Sequence, residues 1–94
     1  MMDEKQKSDV ANRLSRIEGQ VRGVRRMVEE DRYCMDVLAQ TRSITAALRK
    51  VENLVMETHL NTCVADAMRS TDQRDQDDKV KEIMTVIADM RKNG

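Results

Sequence analysis

The residues best suited to chemistry in this sequence are one histidine and two cysteines. His59 is the single histidine, and Cys63 follows it four residues later in the stretch METHLNTC. On an α-helix this spacing puts both side chains on one face, about 6 Å apart along the axis. Because imidazole nitrogen and thiolate sulfur both bind transition metals, the pair predicts part of a metal site.

Cys34, the other cysteine, lies 29 residues before Cys63. If one helix carries both, they are about 44 Å apart and cannot hold one ion within a single chain. In an antiparallel homodimer, the start of this helix in one subunit lies beside its end in the other, which brings Cys34 to His59 and Cys63 of the partner subunit. Two thiolates and one imidazole form a soft, three-coordinate set that favours Cu(I) first and Zn(II) second.

The same cysteines also allow a chemistry without metal. Across the antiparallel dimer, Cys34 and Cys63 of the partner subunit could be joined by a disulfide or by added sulfur after oxidation or persulfidation. Catalysis fits poorly, because there is one histidine, no Ser-His-Asp set and no glycine-rich phosphate loop. We therefore predict a protein that binds or senses and is not an enzyme.

Length and composition predict a small all-helical domain over residues 1–94. The apolar residues are mainly aliphatic, Tyr33 is the only aromatic residue, and proline is absent. A chain of this size buries little surface alone, so a homo-oligomer is expected. The sequence has no apolar stretch of the roughly 20 residues needed to span a bilayer, so we expect no membrane partner and a cytoplasmic location, where cysteines are thiols or metal ligands.

Apolar periodicity predicts three helices, at about residues 6–30, 32–67 and 76–92, with Asp31 capping the second and a polar linker before the third. The apolar stripes of the first two helices are Val10, Leu14, Ile17, Val21, Val24 and Val28, then Val37, Thr41, Ile44, Leu48, Val51 and Val55. Two copies of these helices, packed antiparallel, would form a four-helix bundle.

The stretch NRLSRIEGQVRGVRRMVEEDRYCMDVLAQ, followed by HLNTC, resembles the copper-sensitive operon repressor (CsoR) family over about residues 10–68. The resemblance implies an all-helical bacterial repressor whose dimers pair into a homotetramer, and which binds operator DNA until an inducer binds. The ligand pattern of the copper branch is met by Cys34, His59 and Cys63. The resemblance therefore implies a cytoplasmic Cu(I) sensor that regulates transcription.

Other branches of this family match less well. Nickel and cobalt sensors use a histidine near the N-terminus and another at the position of Cys63, whereas the N-terminal stretch MMDEKQKSDV has no histidine. Formaldehyde sensors use an N-terminal proline, which is absent here. Persulfide sensors keep two cysteines without the histidine, so a persulfide-sensing or oxidant-sensing repressor using Cys34 and Cys63 is the leading alternative.

The resemblance also implies two residues that support the metal-binding histidine. In the copper branch, a tyrosine beside the first cysteine and a glutamate in the third helix are linked to this histidine; Tyr33 and Glu82 occupy these positions. A carboxylate or hydroxyl on the second ring nitrogen would fix the tautomer of His59 and tie the third helix to metal occupancy.

A basic surface is the expected contact with DNA. The formal net charge is zero, but residues 13–26 carry five arginines against one glutamate. Arg13, Arg16 and Lys50 align with basic positions that the family uses on DNA, and Arg42 and Arg49, seven residues apart, would extend the patch. The alternative outside transcription is a small copper-binding buffer protein, which would bind copper without affinity for an operator.

Overall fold

The computed structural model describes residues 2–93, the last of them by its backbone alone, and every regular element in this range is helical. The elements are α1 (Glu4–Glu29), α2 (Cys34–His59), a π-helical segment (Leu60–Val64), α3 (Ala65–Arg69) and α4 (Gln73–Asn93). Because α2, the π segment and α3 follow one another without a break, residues 2–93 form three helical stretches. The all-α prediction is confirmed.

Helix α1 begins two residues earlier than the sequence predicted, because Asp3 caps it. The Asp3 carboxylate accepts a hydrogen bond from the backbone N–H of Gln6 at 2.7 Å, and the Gln6 side chain accepts one from the backbone N–H of Asp3 at 3.0 Å. This reciprocal capping box satisfies two N–H groups that a helix start otherwise leaves without partners.

The expectation that Asp31 caps the second helix is wrong, because Asp31 instead ends the first. Its φ of 54° is left-handed, its N–H donates to Val28 C=O, and the N–H of Arg32 donates to Met27 C=O. These two hydrogen bonds form a Schellman motif, with aspartate in the position that glycine usually occupies. Helix α2 therefore starts at Cys34.

Helix α4 begins at Gln73, three residues before the predicted start, so most of the expected polar linker is helical. The Asp72 carboxylate accepts a hydrogen bond from the N–H of Arg74 at 3.0 Å, which caps the helix. The acidic residues that follow are favourable in the first turns of a helix, where the dipole is positive. Only Ser70–Asp72 connect α3 to α4 without helical structure.

The described contacts divide the chain into two compact units, Met2–Met56 and a second that begins at Glu57. The first unit contains α1 and most of α2, and its buried core residues are Ile17 and Val51. The second contains the end of α2, the π segment, α3 and α4; its buried residues are Thr58 and Ala67. The prediction of one domain over residues 1–94 stays a prediction.

The apolar stripes predicted for α1 and α2 are each split into two rows by burial. One row of each helix is buried or half-buried, and it consists of Val10, Ile17 and Val24 in α1 and Val37, Ile44 and Val51 in α2. The other row is exposed, and it consists of Leu14, Val21 and Val28 in α1 and Leu48 and Val55 in α2. A single chain thus covers only one side of each stripe.

Candidate metal centre

His59 is the last residue of α2, and it faces a carboxylate of α4. Its Nε2 atom lies 3.4 Å from Oε1 of Glu82, and its side chain is 20% exposed. Nε2 is buried and makes no hydrogen bond to the residues that the structure describes, so the two groups are close without being aligned. With Nε2 turned toward Glu82, Nδ1 is the ring nitrogen left to bind a metal ion.

Glu82 is also approached by a lysine on its own helix. Nζ of Lys79 lies 3.5 Å from Oε2, the carboxylate oxygen that does not face His59. Two oxygens of one carboxylate are thus shared between an ammonium group and an imidazole. Lys79 is not among the residues predicted from the sequence, although its spacing of three residues from Glu82 on a helix is typical of an ion pair.

Cys63 lies in the π segment, so the continuous α-helix predicted over residues 32–67 is interrupted there. Ala65 donates its backbone N–H to Leu60 C=O, five residues earlier, so this hydrogen bond spans one more residue than in an α-helix and the turn is wider. In an α-helix, a residue four positions after another is rotated about the helix axis by one full turn plus about 40°. The wider π turn rotates Cys63 back from that position relative to His59.

The hydroxyl of Thr62, a residue of this widened turn, is hydrogen-bonded. The Thr62 hydroxyl donates to Thr58 C=O at 2.7 Å, and its oxygen lies 3.8 Å from the Cys63 sulfur. A hydroxyl that hydrogen-bonds to the carbonyl four residues earlier competes with the backbone ladder and tends to bend a helix. Cys63 itself is half-buried.

Cys34 and Tyr33 belong to the other unit of the chain, at the start of α2. Cys34 is exposed. Tyr33 is 69% exposed, so its ring does not pack into its own chain, and its C=O accepts hydrogen bonds from the N–H groups of Asp36 and Val37. Within residues 2–93 no three histidine, cysteine or acidic side chains lie close enough to hold a metal ion.

The five predicted DNA-contacting residues all lie in the unit Met2–Met56. Arg16, Arg42, Arg49 and Lys50 are exposed. Arg13 is half-buried, with its Nε 3.1 Å from Oδ1 of Asp9, an ion pair that the sequence reasoning did not anticipate. Arg42 and Arg49 are separated by two turns of α2 and therefore point to the same side of it.

None of the helices in residues 2–93 is both long and apolar enough to cross a membrane.

Comparison with known proteins finds consistent similarities. The family model of metal-sensitive transcriptional repressors matches residues 6–89. The copper-sensing transcriptional repressor CsoR of Bacillus subtilis (strain 168) is 52% identical over 68 residues, which are 72% of this chain and 67% of that protein.

Two solved structures extend the similarity to the fold. The copper-sensing repressor CsoR with Cu(I) from Geobacillus thermodenitrificans NG80-2 superimposes with a TM-score of 0.87 at 42% identity, covering 97% of this chain and 92% of that one. The nickel-responsive transcriptional regulator InrS gives a TM-score of 0.73 at 37% identity, covering 83% and 88% of the two chains. Similar helical chains thus respond to different metals.

Proposed function

This chain belongs to the family of metal-sensitive transcriptional repressors, whose model it matches over residues 6–89, and we propose that it is a copper-responsive repressor. In this proposal the metal-free protein binds operator DNA in the cytoplasm, and Cu(I) binding releases it. The copper-sensing relatives from Bacillus and Geobacillus support copper as the inducer. The discrimination among metals lies in the ligands, because a nickel-responsive regulator shares the fold.

The proposed metal ligands are Cys34 of one subunit with His59 and Cys63 of the partner subunit. His59 and Cys63 lie in the unit that begins at Glu57, whereas Cys34 lies at the start of α2 in the other unit. Two soft thiolates and an imidazole suit Cu(I), which accepts three ligands, better than Zn(II), which usually takes four. The buried Nε2 of His59, facing Glu82, supports a ring that binds metal through its other nitrogen.

The observation that carries the intersubunit site is the uncovered side of α2. Cys34, Thr41, Leu48 and Val55 follow one another at intervals of seven residues, which is a single row along one side of a helix. Leu48 and Val55 are about 40% exposed, although Val51, in the row beside them, is buried. A second copy packed antiparallel on this row would cover its leucine and valine and carry its own His59 and Cys63 toward Cys34.

Covering these rows in both helices would produce a four-helix bundle, and we propose that two such dimers form a homotetramer. The exposed row of α1 supports this assembly, since Val21 and Val28 are each at least half exposed. Apolar side chains that remain in water cost about 25 cal/mol per Å², so their burial favours association. The basic residues Arg16, Arg42 and Lys50 are exposed in the single chain and remain available to phosphates.

Release of DNA follows if metal binding and DNA binding favour different arrangements of the helices. The bound ion would supply a positive charge and a fixed geometry that link the ends of α2 from two subunits. His59 would orient its ring against Glu82 and thereby connect α2 to α4 within one chain. Because the coupling is thermodynamic, DNA must weaken Cu(I) binding by the same factor by which Cu(I) weakens DNA binding.

A DNA-binding titration under reducing conditions tests this function. We expect the metal-free protein to bind its operator and to release it with Cu(I), but not with Zn(II), Ni(II) or polysulfide. Cys34→Ser should bind the same DNA without being released by Cu(I), which provides a matched control. Unchanged DNA affinity with copper fully bound would contradict the sensor proposal, and release by polysulfide would favour the persulfide-sensing alternative.

A further inference from the structure

Among the side chains of residues 2–92, Lys79 is the basic one that lies on the carboxylate facing the candidate metal ligand. Its Nζ lies 3.5 Å from Oε2 of Glu82, while Oε1 lies 3.4 Å from Nε2 of His59. The Lys79 side chain is 31% exposed, and that of Glu82 is 49% exposed. The three groups form a row of ammonium, carboxylate and imidazole from α4 to the end of α2.

We propose that Lys79 is a positioning residue for the metal-binding imidazole. Glu82 is half exposed, so water competes for its oxygens and other side-chain rotamers are open to it. The contact with Lys79 favours the rotamer in which the remaining oxygen faces His59. This inference rests on the proposed function in one respect, since it takes His59 as a metal ligand.

The expected consequence is a higher Cu(I) affinity than Glu82 alone would provide. A carboxylate held on the second nitrogen of a ligating histidine orients the ring and raises its basicity, and removing such a partner typically costs about 10- to 100-fold in metal affinity. Lys79 acts one step further away and on a partly exposed group, so we expect a smaller loss of about three- to tenfold.

The test compares Cu(I) affinities, measured by competition with a Cu(I) chelator, for variants of two lysines on α4. Lys79→Met should lower the affinity by this amount, and Lys79→Arg should retain most of it. Lys81 is exposed and two residues further along, where side chains point to a different side of the helix. Lys81→Met removes the same charge from the same helix and should leave Cu(I) affinity unchanged.

A double-mutant cycle shows whether Lys79 acts through Glu82. In the Glu82→Gln background, Lys79→Met should cause no further loss of Cu(I) affinity, because the group that it positions is already altered. An equal loss in both backgrounds, or full affinity in Lys79→Met, would overturn the inference.

A second measurement needs no metal. In ¹⁵N NMR spectra of the metal-free protein, the ring nitrogens of His59, the only histidine, should shift in Lys79→Met and keep their positions in Lys81→Met. Unshifted signals in Lys79→Met would contradict the proposed contact. Failure of the wild-type protein to release DNA on Cu(I) binding would refute the repressor function separately, while the affinity cycle and the NMR spectra still decide the role of Lys79.

Discussion

If the copper site is shared between subunits, two variants that each lack tight Cu(I) binding should recover it when they are mixed. One variant is Cys34→Ser, which keeps His59 and Cys63. The other carries His59→Ala and Cys63→Ser together, and it keeps Cys34. Neither homodimer contains a complete set of three ligands, so each should lose Cu(I) to a chelator that the wild-type site resists.

The size of the recovery follows from the symmetry of an antiparallel dimer. If equal amounts of the two chains exchange at random, about half of the dimers are mixed, and each mixed dimer contains one complete and one empty site of its two. About one quarter of the wild-type number of tight sites should therefore return. If all three ligands came from one chain, no mixture would contain a complete set and the recovery would be zero.

The assay is the amount of Cu(I) retained against the chelator after the two variants are unfolded together and refolded. Native mass spectrometry of chains with different tags would show that mixed dimers are present, and each variant refolded alone is the control. Mixed dimers without recovered tight binding would refute the shared site. Tight binding by Cys34→Ser alone would also refute it, because it would show that Cys34 is not a ligand.

Three further predictions concern the fold, the assembly and the DNA surface. Asp31→Gly should raise the free energy of unfolding by about 0.5–1 kcal/mol in urea denaturation, because the left-handed φ of 54° costs less for glycine; a lower value would contradict the Schellman interpretation. Leu48→Asp should shift the protein to monomers in sedimentation equilibrium, because it places a charge in the row that a second copy would cover. Burial of this leucine would contribute about 1 kcal/mol per chain. Ala46→Asp, on another side of α2, should leave the assembly unchanged. Arg16→Gln should reduce, by about one unit, the slope of the logarithm of the DNA-binding constant against the logarithm of salt concentration. Arg25→Gln should leave this slope unchanged, because Arg25 is paired with a glutamate on its own helix. Equal slopes for the two variants would show that Arg16 does not contact DNA.

The sequence alone determined the helical class, and it was sufficient to predict a set of metal ligands. Aliphatic residues at intervals of three and four, without proline, predict amphipathic helices wherever they are placed. The distance between Cys34 and Cys63 along a helix depends only on the rise per residue. For this reason, the need for a second subunit could be argued before any tertiary contact was known.

The sequence also contains local signals for the helix ends. The start of α1 and the boundary at Asp31 differ from the prediction, and both differences have local causes. Asp3 and Gln6 have the spacing of a capping box, which places the start of α1 at Glu4, before the start at about residue 6 that apolar periodicity predicts. Asp31 is suited both to a helix N-cap and to a left-handed helix end, because its short polar side chain tolerates either. The backbone hydrogen bonds of Arg32 and Asp31 decide between the two.

Only the tertiary structure decided which apolar residues remain exposed and that Lys79 contacts the carboxylate facing His59. Ile17 and Val21 have similar hydrophobicity and belong to the same stripe, yet one is buried and the other is half exposed, because burial depends on the angle at which a neighbouring helix packs. The π segment likewise depends on a change of hydrogen-bond partner by one residue, which apolar periodicity does not encode. Glu82 makes two contacts at this site. Lys79, three residues before it, forms an ion pair with it, whereas His59 lies 23 positions away in the chain. The spacing along the helix could indicate the contact of Lys79 with Glu82. The contact of Glu82 with His59 exists only because the chain folds α4 back onto the end of α2.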